Sequence, residues 1–272
     1  MISGRPKSGK STMLSELIGD IASRRGFITR EVVKDQRRTG FEVIDMSNRR
    51  AILAQTDNPT NLQVERFYVQ PKILAEFTKP LSRMEAGEFL YIDEIGQMQL
   101  HSTEFKTLVE KYLDAPNDFA ATITSVYSDE LTERILARND ILFFHLTEES
   151  RVRVKESLTN ALKNKGMFNK LSSNLQAVVI GSANYYLTEN SHVSFGKLFS
   201  NAIKYFLENK VRIVGPDNYV VDGNTYSHHV SSKSESGWRC DCPLSNGKEP
   251  FSAPTDCSHI QAVRLFISYQ SH

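Results

Sequence analysis

Long apolar runs, internal repeats and low-complexity tracts are all missing from this sequence. No stretch approaches the roughly 20 apolar residues that a membrane-spanning helix needs, so no membrane partner is expected. The N-terminus lacks a basic region followed by an apolar core, so no secretory signal is read there. The expected compartment is the cytoplasm. An excess of one charge is also missing. Lys and Arg number 33 and Asp and Glu 32, for a formal net charge of +1. Charge over the whole chain therefore argues neither for nor against nucleic acid. Cysteine is scarce, with 3 in 272 residues, all between Cys240 and Cys257. An odd, clustered trio is a poor disulfide framework and a better metal site. The length allows one large domain or two smaller ones.

What the chain does have starts almost at once. Residues 4–11 read Gly-Arg-Pro-Lys-Ser-Gly-Lys-Ser, a complete Gly-x-x-x-x-Gly-Lys-Ser phosphate loop. Gly4 and Gly9 let the backbone curl, so that N–H groups of the loop over Arg5, Pro6, Lys7 and Ser8 point toward phosphate oxygens, all but Pro6 having one to offer. Lys10 supplies a point charge for the β- and γ-phosphates, and the Ser11 hydroxyl can ligate Mg²⁺. Ser11–Arg24 has a helical pattern, so Ser11 and Thr12 would open a helix whose positive end faces the anion.

The first part of the chain alternates strand and helix patterns. Strands are expected at Phe27–Val33, Phe41–Met46, Phe89–Ile92, Phe119–Val126 and Ile141–Leu146. Helices are expected at Pro71–Met84, Ser102–Leu113, Ser128–Ala137 and Glu148–Asn164. This alternation implies an α/β domain with a mainly parallel sheet covered on both faces. Ligands of such sheets bind at the carboxyl ends of the strands. The apolar run Phe89–Ile92 ends in Asp93-Glu94. Asp93 is expected to hold Mg²⁺ opposite Ser11. Glu94, one step on, can take a proton from an attacking water.

Residues 166–192 read as a connector with some helix in it. An amphipathic helix follows, with Phe195, Leu198, Phe199, Ala202, Ile203 and Phe206 on one face. Short strands are expected at Val211–Val214, Tyr219–Val221 and Tyr226–Val230, joined by Gly-Pro-Asp and Asp-Gly-Asn turns. Then come Cys240-Asp241-Cys242 and, after a polar loop, Cys257-Ser258-His259. Residues two apart on an extended segment face the same way, so Cys240 and Cys242 can reach one ion. With Cys257 and His259 they complete a tetrahedral Zn²⁺ shell with no open position, which points to a structural role. His228 and His229 are read as strand-surface residues rather than ligands. The nearby basic residues Lys210, Arg212, Lys233, Arg239, Lys248 and Arg264 are scattered, which is how a solvated surface looks.

Several landmarks resemble, in order, the small P-loop nucleoside triphosphatases first described from thermophiles. They are Gly26-Phe27-Ile28-Thr29-Arg30-Glu31-Val32, Arg38-Thr39-Gly40-Phe41, Phe67-Tyr68-Val69, Ile92-Asp93-Glu94-Ile95-Gly96-Gln97-Met98 and Leu146-Thr147-Glu148-Glu149-Ser150-Arg151. The resemblance spans residues 1–165. It implies a three-layer P-loop NTPase fold and slow Mg²⁺-dependent hydrolysis of ATP, GTP and other nucleoside triphosphates to diphosphate and phosphate. By the same resemblance Glu94 is the water-activating base, acting with Lys10, while Arg38 and Arg151 are candidate phosphate or base contacts. Two departures stand out. Only Met1, Ile2 and Ser3 precede Gly4, where the family has a full apolar strand; either this strand is short or the true start lies upstream. Lys7 stands where many members have Gly.

The Cys-x-Cys…Cys-x-His order over residues 210–270, with Trp238 just before it, resembles a SWIM zinc finger. That resemblance implies DNA, RNA or protein binding. The expected organisation is therefore a nucleoside-triphosphatase domain over 1–165, a connector over 166–192 and a small α+β zinc-binding domain over 193–272. No residue is an obvious built-in arginine finger, so weak basal turnover is expected. Two other readings stay open. In a phosphotransferase, the same carboxylates would deprotonate an acceptor hydroxyl. In a nucleotide-gated binding module, turnover would be negligible.

Overall fold

The structure is a computed structural model that describes residues 1–19, 21–188, 195–233, 237–243 and 257–271. Residues 189–192 at the end of the connector, residues 193–194 after it, Lys248, and most of the loop between Cys242 and Cys257 lie outside the described residues. The chain forms two compact units, Met1–Arg151 and Val152–His272.

The first unit is built on a nine-stranded sheet. Its strands are β1 (Ile2–Ser3), β2 (Arg24–Lys34), β3 (Arg37–Asp45), β4 (Arg50–Gln55), β5 (Gln63–Val64), β6 (Phe67–Val69), β7 (Phe89–Ile95), β8 (Phe119–Ile123) and β9 (Phe144–His145). The spatial order is β5-β6-β4-β3-β2-β7-β8-β1-β9. From β2 to β9 every pairing is parallel. From β2 to β5 every pairing is antiparallel. The sheet is thus mixed, with the expected parallel part carrying an antiparallel extension. The extension contains β4 to β6, which the strand–helix alternation does not anticipate. Its lead hairpin turns at Asp35 and Gln36, with φ of 49° and 60°. Two such residues match the strand twist in a two-residue hairpin loop.

The helices are α1 (Lys10–Ile18), α2 (Lys72–Thr78), α3 (Thr103–Leu113) and α4 (Glu130–Leu136). Helix α1 stops six residues earlier than the sequence pattern suggests, and Arg24 already belongs to β2. Helix α2 tightens into a 3₁₀ turn over Lys79–Arg83, where Pro80 removes a donor. Helix α3 buries Phe105, Leu108, Val109 and Tyr112, one apolar stripe at helical spacing. Ser102 caps it, accepting from the Phe105 N–H at 3.3 Å. Strand β7 lies between β2 and β8, and Phe89, Leu90, Tyr91 and Ile92 are all buried. Such two-sided burial explains its unbroken apolar run.

The second unit holds α5 (Arg151–Lys163, starting on the last residue of the first unit), α6 (Lys165–Phe168), α7 (Ser173–Thr188) and α8 (Phe195–Leu207). It continues with β10 (Val211–Gly215), β11 (Asn218–Asp222), β12 (Ser227–Lys233), β13 (Gly237–Cys240) and α9 (Ser258–Gln270). The four strands make one antiparallel sheet in chain order. Val211, Val221, Val230 and Cys240 meet Ile260, Ala262 and Val263 of α9 in its core. The connector is more helical than its Asn and Ser content suggests: α7 alone runs 16 residues. No helix among the described residues is long and apolar enough to cross a membrane.

Asp129 is the clearest local anchor in the first unit. It caps α4 in a capping box with Thr132 and accepts from Lys106 Nζ at 2.6 Å. Burial pushes its pKa up, but the bonds from Lys106 and from the Thr132 and Leu131 amides outweigh that and hold it below 3.8. A depressed carboxyl stabilises the fold above its unfolded pKa and loses that contribution as pH falls through the folded one. Asp129→Ala should cost about 1–2 kcal/mol at neutral pH. In urea titrations the difference from wild type should shrink as pH is lowered below 3.8.

Candidate nucleotide site and metal centre

The phosphate loop is shaped by its glycines. Gly4 has φ of 149° and Gly9 of 89°, backbone states that side chains disfavour. Space is short as well. A Cβ on Gly4 would come 2.5 Å from the Leu146 carbonyl oxygen, and one on Gly9 would come 2.3 Å from an Arg151 guanidinium nitrogen. Lys7 adopts φ of 67°. The departure from glycine at this position therefore carries strain, on the order of 1 kcal/mol. Helix α1 begins at Lys10, so the loop amides and the helix's positive end share one spot. Lys10 folds back over the loop, and its Nζ donates to the carbonyl oxygens of Gly4 at 3.0 Å and Arg5 at 3.1 Å. Ser125 Oγ also donates to the Gly4 oxygen, at 3.2 Å. Arg5, Pro6, Lys7, Ser11 and Thr12 are exposed.

The acidic partner comes from β7. The register Ile92↔Ala121 sets Asp93 beside Thr122 of β8. Asp93 is 1% exposed. Its Oδ1 accepts from Ser11 Oγ at 3.0 Å and from Thr122 Oγ1 at 2.6 Å. Its main-chain oxygen accepts from Thr29 Oγ1 at 2.6 Å, and Gln99 Nε2 donates to Thr29 at 3.3 Å. Its Oδ2 is buried with no hydrogen-bond partner, as is Ser8 Oγ of the loop. A buried carboxylate oxygen beside a hydroxyl, with nothing to satisfy it, fits a cation. Burial raises the Asp93 pKa, against the bonds from Thr122 and Ser11. Glu94 is raised too, first by burial and then by repulsion from Asp93. It is therefore a stronger base than a surface glutamate. Gly96 makes room for it, since a Cβ there would lie 3.0 Å from the Glu94 carboxyl carbon.

The two candidate arginines differ. Arg151 lies over Gly9 and faces Glu16 of α1 at 3.7 Å. Arg38, on β3, donates to Glu31 at 2.6 Å and sits over the rings of Phe41 and Phe67. These contacts belong to the antiparallel extension rather than to the loop. Sequence reasoning missed Thr29, Gln99, Thr122 and Ser125. For Thr122 a signal existed, because a hydroxyl stands inside the apolar run Phe119–Ile123.

In the second unit, single ligand atoms of Cys240, Cys242, Cys257 and His259 all lie within 4.8 Å of one another, and all four residues are buried. His259 Nδ1 is 3.8 Å from Cys240 Sγ and 3.7 Å from Cys257 Sγ. A tetrahedral zinc shell with ordinary bond lengths has sulfur–nitrogen edges of about 3.6 Å. The donor set and its spacing therefore fit zinc, with Nδ1 as the ligating atom. Tyr205 stacks on the His259 ring at 5.4 Å, and His228 lies against it at 4.2 Å. His228 Nδ1 is 3.2 Å from Asp241 Oδ1, so it orients around the cluster without joining it.

Residues 1–159 match a protein family described as NTPase. Nucleoside-triphosphatase THEP1 of Thermotoga sp. (strain RQ2) is 37% identical over 169 residues, which is 61% of this chain and 97% of that protein. THEP1 of Methanothermobacter thermautotrophicus is 37% identical over 163 residues, 57% of this chain and 90% of the relative. Among solved structures, THEP1 from Aquifex aeolicus aligns with a TM-score of 0.53 at 28% identity, covering 58% of this chain and 94% of that one. The loop, the buried acid behind it and these matches agree, and the chain belongs to the NTPase family.

Proposed function

We propose that the chain is a nucleoside-triphosphate phosphohydrolase that converts ATP, GTP and related triphosphates to diphosphate and phosphate. One observation carries this reading: the unpartnered Oδ2 of Asp93, on the carboxylate whose Oδ1 Ser11 reaches, behind a glycine loop over which Lys10 folds. Residues 1–165 would form the catalytic part. The loop Gly4, Arg5, Pro6, Lys7, Ser8 and Gly9, with Lys10, Ser11 and Thr12 at the start of α1, would bind the polyphosphate, Pro6 without a donor of its own. Lys10 would exchange its loop carbonyls for β- and γ-phosphate oxygens. Arg151, already seated at Gly9, is better placed than Arg38 to meet the same charge. Ser11 and Asp93 would hold Mg²⁺, which when bound supplies positive charge to the polyphosphate. Glu94 would take a proton from water as its oxygen bonds to the γ-phosphorus and the bond to the β-phosphate oxygen breaks.

The second unit would hold Zn²⁺ through Cys240, Cys242, Cys257 and His259 as a structural, SWIM-like module that recruits DNA, RNA or a protein. Three buried thiols crowd one place, and bonding with Cys242 and Cys257 together with burial pushes the Cys240 pKa up. A divalent cation would offset that cost.

Phosphate release with Mg²⁺ and each triphosphate tests the main reading. Turnover should be slow without a partner, on the order of 10⁻⁴ to 10⁻² per second. Lys10→Ala should weaken nucleotide binding on the order of 10- to 100-fold. Glu94→Gln should keep binding and lose about 10²- to 10⁴-fold in kcat. Product appearing only with an acceptor hydroxyl would instead mean a kinase.

Lys7→Gly should relieve strain of about 1 kcal/mol and still weaken nucleotide binding, because the lost charge matters more. Calorimetry showing tighter binding would refute that. Elemental analysis should find one zinc per chain. Removing it with a chelator should unfold residues beyond about 205 by circular dichroism and leave nucleotide affinity unchanged; loss of nucleotide affinity would mean the two parts are not independent.

A further inference from the structure

Thr122 is a buried hydroxyl in the middle of a central strand. It is fully enclosed, and its neighbours Ala121 and Ile123 are as well. Nothing about forming β8 requires a hydroxyl there. Valine has the same shape and a stronger strand preference. Burying a hydroxyl is costly unless it is hydrogen-bonded, and this one donates to Asp93 Oδ1 at 2.6 Å.

We infer that Thr122 is a positioning residue for the divalent cation: it fixes Asp93 Oδ1, so that Oδ2 alone is left to ligate. This rests on the proposed phosphohydrolase reading. The carboxylate torsion of an aspartate is broad and nearly two-fold, so its oxygens are interchangeable unless something distinguishes them. Two hydroxyls do so here, Ser11 and Thr122, both on Oδ1. Ser11 is itself a proposed cation ligand, and its oxygen is shared with that duty. Thr122 is fully enclosed, whereas Ser11 is exposed. Its role is to hold the acid, not to touch the metal. The asymmetry it produces is visible, since Oδ1 has two donors and Oδ2 has none.

The test uses full-length protein, a fluorescent ATP analogue and a Mg²⁺ titration. Thr122→Val keeps the shape and removes the donor; Thr122→Ser keeps the donor. Thr122→Val should weaken the apparent Mg²⁺ affinity of the nucleotide complex roughly 10- to 100-fold. Its affinity for the analogue in EDTA should match wild type, and Thr122→Ser should recover most of the loss. Thermal melts check that each variant is folded. Should the valine variant fail to fold, Thr122→Cys, a similar shape with a weak donor, should fall between serine and valine in Mg²⁺ affinity. Unchanged Mg²⁺ affinity, or an equal loss with and without Mg²⁺, overturns the role. If wild type bound the analogue with no Mg²⁺ dependence at all, the metal-site reading itself would fall, and this role with it.

Discussion

A buried carboxylate is among the most costly groups a protein can hold, and the first unit is organised around one. Asp93 sits in the sheet interior with hydroxyls from three different elements turned toward it. Ser11 comes from the helix behind the loop, Thr122 from the strand on one side and Thr29 from the strand on the other. This convergence needs the strand order observed, with β7 between β2 and β8 and with β8 next to the loop's own strand. Displacing β8 would remove the Thr122 donor from the carboxylate, and displacing β2 would remove the Thr29 bond to its main-chain oxygen, so less of the desolvation would be compensated. The position of Asp93 therefore constrains the topology as much as the topology positions Asp93.

The constraint extends to the loop. Lys10 and Ser125 both donate to the Gly4 carbonyl, and Gly9 is tight against Arg151. The loop is thus held in its curled form by Lys10, Ser125 and Arg151. Preorganisation of this kind lowers the ordering cost on binding.

Much of this was legible in the sequence because chemistry and spacing coincide there. The Gly-Lys-Ser loop, the apolar run into Asp93-Glu94 and the Cys-x-Cys…Cys-x-His order are local patterns, and each has a physical meaning on its own. The alternating strands and helices gave the parallel part of the sheet. The antiparallel extension was less legible. Its strands β5 and β6 are two and three residues long, too short for a period to show. Helix α7 was legible only as some helix within a connector, because Asn and Ser dilute its buried Leu175, Val179, Ile180 and Ala183. Thr29 and Thr122 could not be tied to Asp93 from sequence, since their meeting depends on register between strands far apart in the chain. Arg38 is engaged by its own hairpin: it donates to Glu31 across β2 and β3 and lies over Phe41 three residues on.

The nine-stranded sheet ends in β5 on one side and β9 on the other, two residues each. So brief a margin offers few free amide and carbonyl groups for a foreign strand to pair with. The four-stranded sheet is different: β10 at its border is five residues long and shows Ile213 and Val214 to solvent. Among the described strands that border the two sheets, β10 therefore carries the longest row of backbone groups that a further strand could meet.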